Sequence, residues 1–287
     1  MLLRRREWLT RYYRDQRVTV NVSLFLFAIF YFFLVFILTV YPQPLRTVTN
    51  TTFQGGEFLK YRVFYDSWLT SWLTAGFGTM KVDDTDKKFN GRDTWHITVE
   101  GKSNGIFNLF MKVNDRFESY MDREGLYSHE FIRHTREGKF RLDDEVHFDY
   151  DSLKATSRRA VKPIPPHLQD IVSAFYYMRN MDFDTAKVND EYYLNFFLDD
   201  SVYHSRIIFL GREYVETALG RFRCLKFKPQ VAKGEVFQDP YPMVLWVTDD
   251  RNHIPVLGKS AVYVGSIMIE LIEYSGLRYP LGAMVAD

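Results

Sequence analysis

The side chains of this sequence best suited to hold a metal ion or a proton are its seven histidines and its paired aspartates. No two histidines show the His-x-His or His-Glu-x-x-His spacing that places two imidazoles on one metal ion. Four adjacent aspartate pairs fall where turns are expected, and there they serve turn geometry and solubility. These pairs are Asp83–Asp84, Asp143–Asp144, Asp199–Asp200 and Asp249–Asp250. The spacing therefore predicts neither a metal site nor a catalytic pair of carboxylates.

The single cysteine, Cys224, falls in a predicted strand beside Phe222 and Leu225. One thiol can form neither an intrachain disulfide nor a cysteine-based metal site. No helix amino terminus or basic partner is predicted beside it to lower its pKa, so we expect a buried, unreactive thiol. The sequence also lacks a Gly-x-Ser-x-Gly elbow, a phosphate-binding loop and a dinucleotide fingerprint. We therefore predict that the protein is not an enzyme, and in particular that it is not a hydrolase. We also predict that it uses no cofactor.

Charge is distributed unevenly along the chain, although the formal net charge is +1. The first twenty residues contain six arginines and only Glu7 and Asp15 as acids. The rest of the chain is slightly acidic, and it lacks the clusters of Lys and Arg that nucleic acid binding requires. Nucleic acid is therefore not an expected partner.

Residues Val22–Val40 form an uncharged apolar stretch of 19 residues. As a helix it would be about 28 Å long, close to the hydrocarbon thickness of a bilayer. It is longer than the core of a signal peptide and no small-x-small cleavage site follows, so it predicts a retained transmembrane helix. Because the arginines precede it, the amino terminus is expected in the cytoplasm. We predict a basic tail over 1–21, the single membrane helix over 22–40, a tether over 41–55 and an exported domain over 56–287.

Apolar and polar residues alternate repeatedly through the exported part. Trp95, Ile97 and Val99 share one face of DTWHITVE, and Val146 and Phe148 share one face of EVHFDYD. Alternation of this kind indicates strands with one solvent-exposed face. More than ten such segments, separated by turn residues, predict a mainly β fold: an antiparallel β-roll, a partly open barrel or a sandwich. No flexible linker divides this region, so one domain is expected.

One segment, LQDIVSAFYYMRN, interrupts the strands and predicts a single short central helix. Leu168, Ile171, Phe175 and Met178 fall on one face of that helix, and an aspartate near its start can cap it. Two roles fit such a helix. It is either a plug that packs one end of a curved sheet or a lid over an apolar cavity, and the sequence leaves both open.

Four stretches occur in a characteristic order: GEFLKYRVFYDSWLTSWLTAGFGTM, DIVSAFYYMR, ETALGRFRCLKFKP and LWVTDDRNHIPV. Together they resemble the motifs of a bacterial family, the domain of unknown function 3108, although the segment DSWLTSWLT is an insertion relative to its pattern. The matching residues include Gly56, Glu57, Tyr61, Gly76, Asp170, Ser173, Arg179, Gly220, Cys224 and Pro255. The resemblance implies an exported, β-rich domain of the bacterial cell envelope, hence a periplasmic domain anchored in the inner membrane. It implies no reaction.

Two functions without catalysis fit these observations. In the first, the domain is a tethered interaction module of an envelope complex, and Trp68 and Trp72 contact the partner or the membrane. In the second, it binds a lipid or a lipoprotein acyl chain beneath the helix, which would require an apolar cavity of roughly several hundred Å³. The retained anchor favours the first function, because a shuttle between membranes must be free to leave. The other candidate ligand- or partner-binding residues are aromatic: Trp95, Phe107, Phe110, Phe175, Tyr176, Tyr177 and Trp246.

Overall fold

The structure is a computed structural model that describes residues 46–66, 73–105, 107–230, 243–261 and 266–285. The predicted cytoplasmic tail, the predicted membrane helix, Trp68 and Trp72 lie outside these residues. Within the described ranges, no helix has the length and apolar character needed to cross a membrane. Arg46–Asp287 form one compact unit with its own hydrophobic clusters, which is what a domain needs to fold independently.

The alternating segments form strands, and the described residues contain sixteen strands and two helices. The first half of the domain contains β1 (Phe58–Asp66), β2 (Leu73–Phe89), β3 (Arg92–Ser103), α1 (Phe107–Phe110), β4 (Asn114–Asp122), β5 (Ser128–Glu137), β6 (Phe140–Asp149), β7 (Lys154–Thr156) and β8 (Val161–Pro163). The second half contains β9 (Gln169–Asp170), α2 (Ile171–Arg179), β10 (Glu191–Leu198), β11 (Ser201–Thr217), β12 (Gly220–Pro229), β13 (Met243–Thr248), β14 (Pro255–Ala261), β15 (Ser266–Ser275) and β16 (Met284–Val285).

All sixteen strands belong to one sheet. Its order is β8-β7-β6-β5-β4-β3-β2-β1-β15-β14-β13-β12-β11-β10-β9, and β16 pairs with β12. The pairs are antiparallel except for the short pair of β9 with β10. Strand β1 joins two meanders, because it pairs with β2 on one side and with β15 on the other. The first meander consists of β2 to β8, and the second consists of β10 to β15. The predicted mainly β, antiparallel class is confirmed.

Helix α2 lies inside the curve of this sheet. It packs against β3 and β4 and also against β10, although these strands are far apart in the sheet order. The rings of Phe148 in β6 and Phe197 in β10 meet edge to face, with centroids 5.7 Å apart. Arg133 of β5 pairs with Asp199, which follows β10, at 3.1 Å. The two halves of the sheet thus approach each other around the helix and form a partly open barrel.

The alternation in sequence correctly identifies inward-facing residues of the first meander. Ile97, Val146 and Phe148 are buried together in the cluster that surrounds the core face of α2. Tyr176 of the helix is fully buried in the same cluster. The helix therefore fills part of the barrel interior, as the plug hypothesis requires.

Two features differ from the sequence-based expectation. The folded unit begins at Arg46 rather than at Gly56, because Phe53 in the predicted tether is 0% exposed and packs against Tyr176. The pairs Asp83–Asp84 and Asp143–Asp144 lie within β2 and β6 instead of in turns. Strands tolerate these aspartates because basic residues pair with their carboxylates, as Lys81 does with Asp83 at 2.8 Å.

Candidate ligand-binding pocket

Helix α2 begins with a capping box. The Asp170 carboxylate accepts hydrogen bonds from the backbone N–H groups of Val172 (2.7 Å) and Ser173 (2.8 Å), and the Ser173 hydroxyl accepts one from the Asp170 N–H (2.9 Å). Ser119 of β4 donates to the other Asp170 oxygen at 2.6 Å. Burial raises the pKa of Asp170, while these hydrogen bonds oppose the increase. The amino end of the helix is thus fixed to the sheet.

The carboxyl end of the helix is held by a buried ion pair. The Arg179 guanidinium donates to both oxygens of Glu57, at 2.6 and 2.8 Å, and neither side chain is exposed. Arg179 also donates to the Asn252 carbonyl at 3.0 Å and lies over the Tyr176 ring, 5.0 Å from its centroid. A guanidinium that uses its two-pronged geometry in this way fixes both position and orientation. Both ends of α2 are thus fixed by hydrogen bonds to other parts of the domain.

His253 adds a second contact at this end of the helix. Its Nδ1 donates to the Arg179 carbonyl at 2.6 Å, and its backbone is left-handed, with φ of 46°. Burial lowers the pKa of this imidazole, and the Arg179 charge lowers it further, although the hydrogen bond to the carbonyl opposes both. His253 is therefore held in the folded protein mainly as the neutral ring.

The lowered pKa of His253 predicts a stability that falls in mild acid. In the unfolded chain His253 binds a proton as the pH drops below about 6.5, whereas in the folded protein it does so only at lower pH. Its contribution to the free energy of unfolding is therefore complete above about pH 6.5 and declines as the pH falls toward the pKa of the folded state. For one proton, the free energy of unfolding changes by at most about 1.4 kcal/mol per pH unit. Urea unfolding at several pH values should show a flatter profile for His253→Asn, because asparagine tolerates the left-handed backbone but does not titrate. Equal slopes in both proteins would contradict this assignment.

The two faces of α2 have different surroundings. Val172 and Tyr176 point into the buried core, whereas the opposite face borders an apolar pocket. The pocket-facing residues of the helix are Ile171, Ala174, Phe175 and Met178. Three of these belong to the face predicted from the sequence. The helix therefore supplies both a plug to the core and a wall to the pocket.

The pocket encloses about 410 Å³ between α2 and the second meander. This volume lies within the roughly 300–1,000 Å³ range typical of small-molecule sites. None of the described residues that line it is charged, and its serine hydroxyl is already bound to the Gln230 carbonyl at 2.9 Å. The strand residues that line it are Leu194, Phe196, Leu198, Ser205, Ile207, Pro229, Gln230, Met243, Leu245 and Ile269. These described residues present a surface that can accept hydrocarbon.

The predicted aromatic residues are separated by the fold. Phe175 lines the pocket, as predicted. Trp95 faces inward but on the first meander, where it packs edge to face on Phe53, with centroids 6.1 Å apart. Trp246 points away from the pocket, because the alternation of β13 sends its neighbour Leu245 inward, and its indole N–H donates to Glu213. Any role of Trp95 or Trp246 in binding a partner stays a prediction.

The remaining candidates occupy three further places. Tyr176 is in the core. The Tyr177 ring lies under the Arg46 guanidinium, whose central carbon is 4.8 Å from the ring centroid. Phe107 and Phe110 begin and end the single-turn helix α1. The contacts predicted for Trp68 and Trp72 concern residues that the structure does not describe.

The family-motif residues serve the architecture rather than the pocket lining. Tyr61 donates to the Pro255 carbonyl at 3.2 Å, and Gly220, with φ of 120°, follows the turn before β12. Gly76 allows β2 to approach β3, because a β-carbon there would lie 2.2 Å from the Lys102 carbonyl oxygen. Cys224 is buried, as predicted, and burial raises the pKa of its thiol to about 12, which disfavours the reactive thiolate.

Most strand residues of the pocket escape prediction from the sequence. In β10, EYYLNFFL, Leu194 and Phe196 face the pocket while Phe197 faces the first meander. One phase of the strand is wholly apolar, whereas the other contains Glu191 and Asn195, so alternation indicates the inward phase but not that this phase borders a cavity. The remaining lining residues come from β11, β12, β13 and β15, and no local pattern brings them together.

One cluster outside the pocket has the residue types of a cation site. His147 lies 2.9 Å from a Glu130 oxygen through Nδ1 and 3.2 Å from a Glu145 oxygen through Nε2. The other Glu130 oxygen pairs with Lys87. Because Lys87 and the imidazole already contact these carboxylates, a hydrogen-bonded network accounts for the cluster without a metal.

Comparisons with known proteins agree with this architecture. No curated protein sequence matches the chain significantly. A β-barrel-like protein of the domain of unknown function DUF1849 from Brucella abortus has a similar fold, with a TM-score of 0.51, 11% identity, and coverage of 80% of this chain and 98% of that one. A protein assigned as a lipoprotein from Parabacteroides distasonis gives a TM-score of 0.33, with 11% identity and coverage of 80% and 99%. The sequence model of the protein family of unknown function DUF3108 matches residues 60–272, and the chain belongs to that family.

Proposed function

We propose that this protein binds the hydrocarbon part of a lipid or of a lipoprotein acyl chain, without catalysis. The observation that carries the proposal is the apolar pocket of about 410 Å³ between α2 and the second meander, whose described lining residues are all uncharged. Burying hydrocarbon there removes it from water at a gain of about 0.8 kcal/mol per methylene. A pocket without charged groups selects for an apolar chain and leaves any headgroup outside.

Rigidity of the pocket wall supports binding in a preformed site. The capping box and the Glu57–Arg179 ion pair fix both ends of α2. A wall that does not rearrange lets the chain bind without an ordering cost in the protein, and that preserves affinity.

The predicted membrane helix supports a stationary role in this proposal. A retained anchor over residues 22–40 would hold the domain in the periplasm beside the inner membrane, where it would receive a chain but not carry it away. The alternative, an interaction module of an envelope complex, depends on Trp68 and Trp72, which the structure does not describe. The apolar pocket favours the lipid-binding function, and the contacts of Trp68 and Trp72 stay a prediction.

Native mass spectrometry of residues 46–287, exported to a bacterial periplasm and purified without detergent, tests the proposal. This fragment begins at Arg46 because the segment from there to Phe53 packs on the domain. We expect a lipid adduct with one copy per protein, lost on denaturation. Protein without an adduct that also fails to take up added fatty acid would contradict the proposed function.

A further inference from the structure

One edge of the first meander carries exposed apolar side chains. At this edge β3 ends at Ser103, β4 begins at Asn114, β5 ends at Glu137 and β6 begins at Phe140. Helix α1 lies in the connection from β3 to β4. We call residues 107–113 and 137–141 the α1 rim.

Three large apolar residues on the α1 rim point to solvent. Leu109 is 82% exposed, Phe140 is 53% exposed and Met111 is 51% exposed. Met111 Cγ lies 4.0 Å from the β-carbon position of Gly138, so α1 and the β5–β6 turn form one continuous surface. Single exposed apolar residues are common in proteins, but a contiguous group marks a contact surface.

Hydrogen bonds hold this surface in a defined shape. The Gly138 N–H donates to the Lys112 carbonyl at 2.9 Å, and the Val113 N–H donates to the Ser103 hydroxyl at 2.7 Å. The Ser103 hydroxyl donates to the Asn108 side chain at 2.5 Å. The exposed side chains therefore project from a fixed backbone.

The charges on the α1 rim are mainly positive. Lys112, Lys139 and Arg141 are exposed, and none of them has a carboxylate partner among the described residues. Arg141 instead donates to the carbonyls of Gly138 (2.8 Å) and Phe140 (2.7 Å). Glu137 is the one acidic residue in the described residues of this rim. Exposed apolar side chains between cations with no acidic partner are the features of a surface that meets anionic headgroups.

We propose that the α1 rim binds the surface of an anionic lipid bilayer. Leu109, Met111 and Phe140 would enter the interface between headgroups and acyl chains while the neighbouring cations contact lipid phosphates. Charge complementarity selects the bilayer, because an apolar partner alone would not require the cations. This surface is a property separate from the pocket, and it goes beyond the proposed function.

The sheet register gives this surface a relation to the pocket. Strand β12 ends at Pro229 and β13 begins at Met243, and both residues line the pocket. The antiparallel pairing places these strand ends on the same edge of the sheet as the α1 rim. Binding through the rim would therefore turn the pocket-lining strand ends to the bilayer, the source of a hydrocarbon chain.

Vesicle flotation with residues 46–287 tests the inference. Vesicles of phosphatidylcholine alone are compared with vesicles that also contain phosphatidylglycerol. The variant K112Q/K139Q/R141Q removes the three cations, and each contributes about a five-fold change in affinity near an anionic surface. We expect binding to the anionic vesicles, roughly 100-fold weaker binding by this variant, and a further loss with L109S/F140S. All five positions are exposed, so the fold is preserved.

A matched control removes three other exposed lysines. K154Q/K162Q/K187Q changes residues that also lack ion pairs but lie away from the α1 rim, and it should bind almost as well as the unaltered domain. Equal losses in both triple variants, equal binding to both kinds of vesicle, or no binding at all would overturn the proposal. A change of oligomeric state in L109S/F140S, measured by light scattering, would assign the surface to a second copy of the chain instead. Vesicle binding without a lipid adduct, or an adduct without vesicle binding, separates this inference from the proposed function.

Discussion

Replacing Glu57 with alanine is expected to destabilise the domain by about 3–5 kcal/mol. The change would leave the Arg179 guanidinium buried with only the Asn252 carbonyl as a described hydrogen-bond partner. An unpaired charge without solvent access is among the most costly defects that a single substitution creates. Because a domain is stable by only about 5–15 kcal/mol, this loss would remove a large part of the free energy of unfolding. Urea unfolding followed by circular dichroism measures the loss.

The design of this experiment includes a double variant and a surface control. Arg179→Met alone should cost about as much as Glu57→Ala, whereas the two together should cost far less than their sum, because no charge is left behind. Lys60 and Glu273 form an ion pair between β1 and β15 at 3.1 Å with both side chains partly exposed, so Glu273→Ala should cost about 1 kcal/mol or less. A loss in Glu57→Ala no larger than in Glu273→Ala would show that water reaches Arg179.

Filling the pocket should abolish binding of an acyl chain without unfolding the domain. Ala174 is on the pocket face of α2, and in Ala174→Phe the ring would occupy space meant for hydrocarbon. Excluding about four methylenes of the ligand from the pocket removes roughly 3 kcal/mol of binding free energy, which weakens binding more than 100-fold. The helix itself tolerates phenylalanine at a cost below about 1 kcal/mol. Titration with cis-parinaric acid, whose fluorescence rises when its chain leaves water, measures the affinity.

The same substitution at an exposed site is the control for this prediction. Ala218 lies in the turn between β11 and β12, on the opposite edge of the sheet from the pocket-lining strand ends. Ala218→Phe should bind the fatty acid like the unaltered domain. In urea unfolding, both variants should keep a free energy of unfolding within about 1 kcal/mol of that of the unaltered domain. Unchanged affinity in Ala174→Phe would place the chain elsewhere on the protein.

Local patterns predicted the elements of this fold well. Alternation identified the inward side of β3 and β6, because one face of each strand is apolar and the other is polar. The spacing of Ile171, Phe175 and Met178 correctly placed these three residues on one face of α2. Such patterns succeed because the period of each element is fixed by its backbone geometry.

Contacts between distant residues could not be predicted in this way. Glu57 and Arg179 are both in family motifs, but no periodicity indicates that residues 122 positions apart form an ion pair. Residues 46–55 look like a polar tether in sequence, yet Phe53 is a core residue because the Tyr176 ring packs against it. The pocket could not be predicted from the sequence either, because it is the space left between α2 and several strands that are distant in the sequence.

The position of β1 between β2 and β15 has a consequence for how the chain folds. Phe58 pairs with Ser275, which is 217 residues later in the sequence. Closing a loop of that length is entropically costly, and contacts between such distant segments slow folding. The meander of β2 to β8 can form as soon as it has been synthesised, but one edge of β1 stays unpaired until β15 follows. The barrel therefore closes only after nearly the entire domain is available, and during that interval the free edge of β1 is the site where mispairing with another chain would begin.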